Sequence, residues 1–363
     1  MGQDNNSANR ADQLQFLRFC AFFLIFSWHV DRYVPYWFPH DKGALNAVVF
    51  FFILSGVVTG YSVYGKEVVF SFGATKQHLL GKIKKVYPLY FVTTVFAVAY
   101  SGLPSYVANY DYQNVWLKVS QLVKNLLLLQ SWFPKGYYSY NGVGWFLSSI
   151  MFLYLLNVPL TACMTGIKKK KNWRCILGII FCSTVGLTVL YNYVLRESNM
   201  EFTTYILPPS RLGEYICGLC IGYTVRSVID KIPSGTVYKI IFSFAEIAAI
   251  ILWIDVMYRP MAEWHVKVVH WLFPNILLLV IFTFGKGILS DLFKIKILRH
   301  LGDLTFECFL IHQVLIHEYI INAGVGGNNK PEKLFSLVFC LIMTILLAEG
   351  AKRAQCRSRL NKF

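Results

Sequence analysis

Apolar residues fall along this chain in long runs separated by short polar loops. The runs lie near 14–34, 43–64, 86–103, 143–163, 175–195, 210–228, 238–257, 267–284, 301–322 and 334–350. About 20 apolar residues of helix cross a bilayer core, and these runs are of that order. The pattern predicts an all-α membrane protein of about ten transmembrane helices. An eleventh stretch, 119–132 ("VSQLVKNLLLLQSW"), is short and carries Lys124. It is expected to be one additional re-entrant or interfacial helix.

Charge decides the orientation. With 119–132 left out of the count, the alternate loops on one side hold roughly twice as many Lys and Arg as the others, including "KKKKNWR" and the C-terminal tail. Cytoplasmic loops normally carry that excess, so both termini are expected in the cytoplasm. The whole of 1–363 reads as a single integral membrane domain. It has a cytoplasmic tail at 1–13, an outer loop with a short helix at 104–142 and a basic cytoplasmic tail at 351–363. The polar N-terminus leads into the first run with no A-x-A-like cleavage site, so that helix is expected to be retained.

Composition agrees. Of 363 residues 56% are hydrophobic and 15% charged, with mean hydropathy +0.48; a soluble globule is typically about 25% charged. The net charge of +16 sits in interhelical loops, which argues against nucleic acid as a partner and leaves membrane lipids as the surroundings. Cys217 and Cys220 form C-x-x-C inside "EYICGLCIGY", where small packing residues are the better reading than a redox or metal pair. In the outer loop, "SYVANYDYQNVW" and "FPKGYYSYNGVGW" bring aromatics and amides together. These suit either stacking on a sugar ring or an interfacial aromatic belt.

Ionisable residues inside the apolar runs are the candidates for function, because each costs a few kcal/mol or more there. "LQFLRFCAFFLIFSWHV" carries Arg18 and His29, eleven residues apart. At about 100° per residue they share one face, roughly 16 Å apart along the axis, which implies a polar cavity running lengthwise. Arg18 alone could snorkel to the inner headgroups. Lys82, Lys84 and Lys85 precede Pro88, which is expected to start the third helix. They suit the positive-inside pattern and equally a phosphorylated ligand at the cavity mouth. Arg211 and Glu214 stand at i, i+3 as an expected internal ion pair. Glu307 and His312 lie in the ninth run, five apart, off one stripe and with no need to be partners; His317 reads as structural.

Together these segments resemble the acyltransferase 3 family of integral membrane O-acyltransferases, over nearly the whole chain and in order. Arg18 and His29 match its Arg/Lys-x10-His motif. "FFFILSGVVTGYS" is similar to its FF-x-L-SG helix, and Lys82, Lys85 and Pro88 to its basic pair before an aliphatic-x-Pro. "GVGWFLSSIMFLYLL", "RLGEYICGLCIGY" and "LTFECFLIH" are like its WFL, R-x-x-E-F-x-x-G and S-Y-x-x-Y-L-x-H helices. Departures are the lysines in place of an arginine pair, Val49 where an acid is common, and Ile150 where many members carry glutamate. The last two place the chain in the WFL-type branch.

The resemblance implies an acyl-CoA-dependent O-acetyltransferase of a bacterial inner membrane, using acetyl-CoA from the cytoplasm and no metal. The acceptor implied is a hydroxyl of a cell-surface polysaccharide or lipid-linked glycan. Lys82, Lys85 and Arg18 would hold the donor; His29 would take the acceptor's proton or carry the acyl group. Arg18 could also steady a developing oxyanion, with Arg211, Glu214, Glu307 and His312 in support. Two rivals fit the same residues: a transporter using them as a relay, and a non-catalytic partner of a polysaccharide-synthesis complex.

Overall fold

A computed structural model describes residues 11–30, 40–101, 115–195, 201–259, 267–317 and 330–360, and those residues contain helices and turns but no strand. Thirteen α-helices follow in chain order: α1 Gln13–His29, α2 His40–Val63, α3 Phe72–Ser101, α4 Val115–Leu126, α5 Gly144–Lys168, α6 Trp173–Val194, α7 Leu212–Val228, α8 Thr236–Tyr258, α9 Lys267–Phe284, α10 Ile288–Phe293, α11 Lys296–Asp303, α12 Thr305–Ile316 and α13 Lys330–Leu360. Helix is what lipid demands, since every backbone N–H and C=O must then be satisfied within its own segment. Among the described residues five helices are long and apolar enough to cross a membrane: α2, α5, α6, α8 and α13. Shorter apolar helices occupy Val269–Phe284 and Thr305–Ile316.

The core is organised around α2 and α7. Gly56 and Gly60 on α2 face Gly218 and Gly222 on α7. A Cβ on Gly56 would fall 2.1 Å from the Tyr215 carbonyl oxygen, and one on Gly218 2.0 Å from that of Ile53. Two small-x3-small stripes therefore let the backbones touch, which is how helices associate where lipid supplies no hydrophobic drive. Cys217 and Cys220 are buried beside this seam, as small packing residues. The helix α1 lies against α2 on one side and against α11 and α12 on another. The last contact is close: a Cβ on Gly302 would fall 2.0 Å from the Gln15 carbonyl oxygen.

Three expectations change. Pro88 does not start the third helix; α3 begins at Phe72 and runs through Pro88, because a helix supported by neighbours in a bilayer tolerates the lost hydrogen bond. The run 301–322 is two helices, α11 and α12, broken at Leu304 where α11 meets α1. The third is a matter of form: 351–360 of the basic tail is helical, because α13 continues to Leu360.

The short helix α4 is inside-out. Its buried residues are Gln121 and Asn125, while Trp116, Val119 and Val123 are exposed. Tyr87 and Tyr90 of α3 donate to the Leu126 and Asn125 carbonyls, both at 2.9 Å. Apolar outside and polar inside is the pattern of an element facing lipid. On α8, Glu246 accepts from the Gly287 and Ser290 amides at 3.0 and 3.1 Å and so caps α10 from a neighbouring helix.

Candidate functional site

His29 occupies the last turn of α1, and His312 of α12 stands against it. The rings are T-shaped, 4.9 Å between centroids, with His312 Nε2 3.2 Å from His29 Nδ1. The carbonyl partners fix the tautomers. His312 Nδ1 lies 2.8 Å from the Phe309 oxygen and 3.2 Å from that of Cys308; carbonyls only accept, so Nδ1 carries the proton and Nε2 is a bare acceptor. His29 Nδ1 lies 2.9 Å from the Ile25 oxygen, so it too is protonated and shares its proton between Ile25 and His312. The remaining nitrogen, His29 Nε2, keeps its lone pair. His312 is fully buried, with Phe22 edge-on at 5.4 Å and Phe309 at 5.9 Å. His29 is partly exposed, beside Trp28 at 4.7 Å, and His317 lies within electrostatic reach of it.

A second constellation gathers at the other end of α1. Arg18 Nη1 donates to Gln15 Oε1 at 3.0 Å, which aims the guanidinium. Lys82 Nζ sits 4.5 Å over the Tyr154 ring, and Lys85 and Arg18 both act electrostatically on Lys82. Lys82 precedes the apolar run of α3, and its ammonium titrates below the ordinary lysine range, through burial first and then through repulsion by Lys85 and Arg18. Glu307 of α12 is 5% exposed and feels Lys352, Lys85 and Arg18. Lys352 comes from α13 and donates to the Asp303 carbonyl at 3.0 Å. Helices α1, α3, α12 and α13 thus bring Arg18, Lys85 and Lys352 within electrostatic reach of Glu307.

Between the two constellations the shared face of α1 carries Ala21, Phe22 and Ile25, all 3% exposed or less. The lengthwise polar cavity expected there is closed by packed side chains. A groove of about 360 Å³ lies on the opposite face, lined by apolar residues including Phe16, Cys20, Phe23, Trp253 and Met257. Its apolar walls and its distance from the ionisable residues make it no part of this site.

Arg211 and Glu214 form the expected ion pair, Nη2 to Oε1 at 3.0 Å, both fully buried. The guanidinium lies 4.4 Å over the Phe52 ring and 5.0 Å over that of Tyr205. The pair joins the 3-10 turn Pro208–Arg211, which precedes α7, to the core and reaches neither histidine among the described contacts. Further out, Tyr137 and Tyr138 donate to Glu201 at 3.3 and 2.9 Å, and Tyr137 stacks on Phe202. Asn141 is buried, donating to Thr93 and to the Leu310 carbonyl at 3.0 and 3.1 Å, and Gln313 accepts from the Val143 amide at 2.8 Å. The second of the two aromatic motifs is therefore largely built into the structure beside the C-terminal end of α12; most of the first, 102–114, lies outside the described residues.

The structure brings His312 to His29 and Glu307 to Arg18, Lys85 and Lys352, and leaves Arg211 and Glu214 apart. Tyr154, Lys352 and Glu201 went unnoticed in the sequence. Tyr154 had a signal, a phenol within an apolar run; the other two sit among ordinary loop and tail charges. Among the described residues no three His, Cys, Asp or Glu side chains are placed to share a metal ion.

The profile of a family described as "Acyltransferase domain" (acyltransferase 3) matches residues 12–348. A curated relative, "Acyltransferase MdmB" from Streptomyces mycarofaciens, is 28% identical over 204 residues, covering 52% of this chain. The chain spans about half the length of that relative, 48%. No solved structure matches.

Proposed function

The chain belongs to the acyltransferase 3 family, and from that premise we propose that it is a membrane O-acyltransferase moving an acetyl group from cytoplasmic acetyl-CoA to a hydroxyl of a cell-surface polysaccharide or lipid-linked glycan. It does so from about ten spans with both termini in the cytoplasm of a bacterial inner membrane. The observation that supports this reading most is the pairing of His29 with His312, which leaves one nitrogen bare at the outer end of α1.

The chemistry follows from that pairing. The acceptor hydroxyl gives its proton to His29 Nε2 as its oxygen attacks the thioester carbonyl. The ring becomes an imidazolium, and His312 Nε2, already facing Nδ1–H, strengthens its hydrogen bond to the new charge. Collapse of the tetrahedral adduct expels the CoA sulfur, which takes the proton from Nε2 and leaves as the thiol. Passage through an acylated His29 would use the same nitrogen. Lys82, Lys85 and Arg18 meet the donor's phosphates some 16 Å inward, where compact ammonium groups act as point charges. The thioester arm then has to part the packed Phe22 and Ile25 to reach His29.

The test is direct. The purified protein in detergent should bind acetyl-CoA and slowly release CoA from it, and Lys82→Ala/Lys85→Ala should weaken that binding. A folded protein with no affinity for acetyl-CoA would contradict the proposal and favour a transport role for the same charges.

A further inference from the structure

Glu307 stands in "LTFECFLIH" at a position the family pattern leaves open. Its surroundings are nevertheless unusual. The carboxylate is 95% buried, by its 5% exposure, and its Oε2 has no hydrogen-bond partner among the described residues. It makes no ion pair within 4 Å there, although Lys352, Lys85 and Arg18 all act on it. Its own backbone N–H is the one donor recorded on the carboxylate among the described residues, and a buried anion with an oxygen left unsatisfied is costly unless something supplies a further donor. The cations that could pair with it are turned to other work: Arg18 to Gln15 Oε1 and Lys352 to the Asp303 carbonyl.

Position suggests what the donor is. Five residues of helix separate Glu307 from His312, about 7.5 Å along the axis. His312 touches His29, and Arg18 lies about 16 Å inward of His29 along α1. Glu307 is therefore the member of the cationic cluster that shares a helix with His312, about one and a half turns from it. A carboxylate can only accept hydrogen bonds, so its partner must offer N–H or O–H groups, and a second anion is excluded. The arm of CoA carries a hydroxyl and an amide N–H just beyond its diphosphate, followed by a second amide.

We propose that Glu307 is a donor-binding residue that accepts a hydrogen bond from the hydroxyl or first amide N–H of the pantetheine arm. It thereby steers the arm from the phosphate cluster into the helix bundle. The assignment rests on the acyl-CoA reading above. It also gives the four cations Arg18, Lys82, Lys85 and Lys352 a net excess suited to a polyanion, with one carboxylate reserved for the uncharged arm.

Two probes separate the parts of the donor: CoA, and 3′-phosphoadenosine 5′-diphosphate, which has the same phosphates and no arm. Their dissociation constants are to be compared in the wild type, Glu307→Leu and Glu307→Gln. The expected result is an approximately tenfold weaker hold on CoA in Glu307→Leu, with the armless nucleotide bound as well as before or better. Glu307→Gln, which keeps an acceptor oxygen, should fall between for CoA, and nucleotide binding reports that each variant is folded. If both ligands tighten alike in both variants, Glu307 acts only as a bulk negative charge and the proposal is overturned; unchanged CoA affinity overturns it as well. A wild type that binds neither ligand removes the acyl-CoA reading itself, an outcome distinct from these.

Discussion

At the scale of residues, the Ile25 carbonyl keeps the proton of His29 on Nδ1, and a neighbour 283 positions away, His312, faces that same N–H. His312→Ala should lower turnover of acetyl-CoA by roughly 10–100-fold, within the range that positioned proton transfer contributes, while leaving CoA affinity near the wild-type value. His312→Gln offers an acceptor oxygen to Nδ1–H and should recover part of the loss; equal turnover in all three proteins would contradict the pairing. The Arg211–Glu214 pair calls for a different measurement. Removing one buried partner leaves the other uncompensated, so Arg211→Met should cost about 3–5 kcal/mol of stability. Arg211→Met/Glu214→Leu should cost less, and thermal unfolding in detergent would show the order. Arg18 and His29 were legible as one face because eleven residues make close to three turns. The partnership with His312 was not, because it depends on how α12 is turned. Just before α12, Gly302 of α11 meets the backbone at Gln15, a contact that no local spacing encodes.

At the scale of elements, the seam between α2 and α7 carries the fold. Gly218→Val puts a side chain where the Ile53 carbonyl already stands, and overpacking of that kind costs about 1–3 kcal/mol or more. Gly186→Ala on α6, whose Cβ would meet nothing within 4 Å, is the control and should be neutral to slightly stabilising. The melting temperature in detergent measures both, and an equal shift would contradict the close packing. The apolar runs announced helices for a plain reason: lipid leaves the backbone no other way to satisfy itself. Their ends were harder. Pro88 looked like a helix start by rules learned in water, yet α3 passes through it. The break at Leu304 has no proline, only Gly302 two residues before it, where α11 packs closely on α1. The inside-out face of α4 was anticipated only as a short helix with an awkward lysine.

At the scale of the whole molecule, charge and depth should set where each half of the reaction occurs. Cys356 is exposed on the cationic end of α13, so in a variant retaining only that cysteine an impermeant maleimide should label it only after the cytoplasmic face is opened. Labelling from outside in intact cells would reverse the topology. The cationic cluster predicts a pH dependence as well. A bound polyanion relieves the repulsion on Lys82 and raises its proton affinity, so free protein holds the Lys82 proton less tightly than the complex. CoA affinity should therefore fall as pH rises through the lowered Lys82 pKa, below the ordinary value near 10.4, and Lys82→Ala should flatten that profile.

In the proposed function His29 performs the transfer while cations some three helical turns away hold the donor. That division is tested most directly by measuring, on the same purified samples, acetyl-CoA affinity and the rate of CoA release for wild type and His29→Ala. Affinity should stay within about twofold of wild type, and release should slow by about 100-fold or more. Release at the wild-type rate from His29→Ala would contradict it.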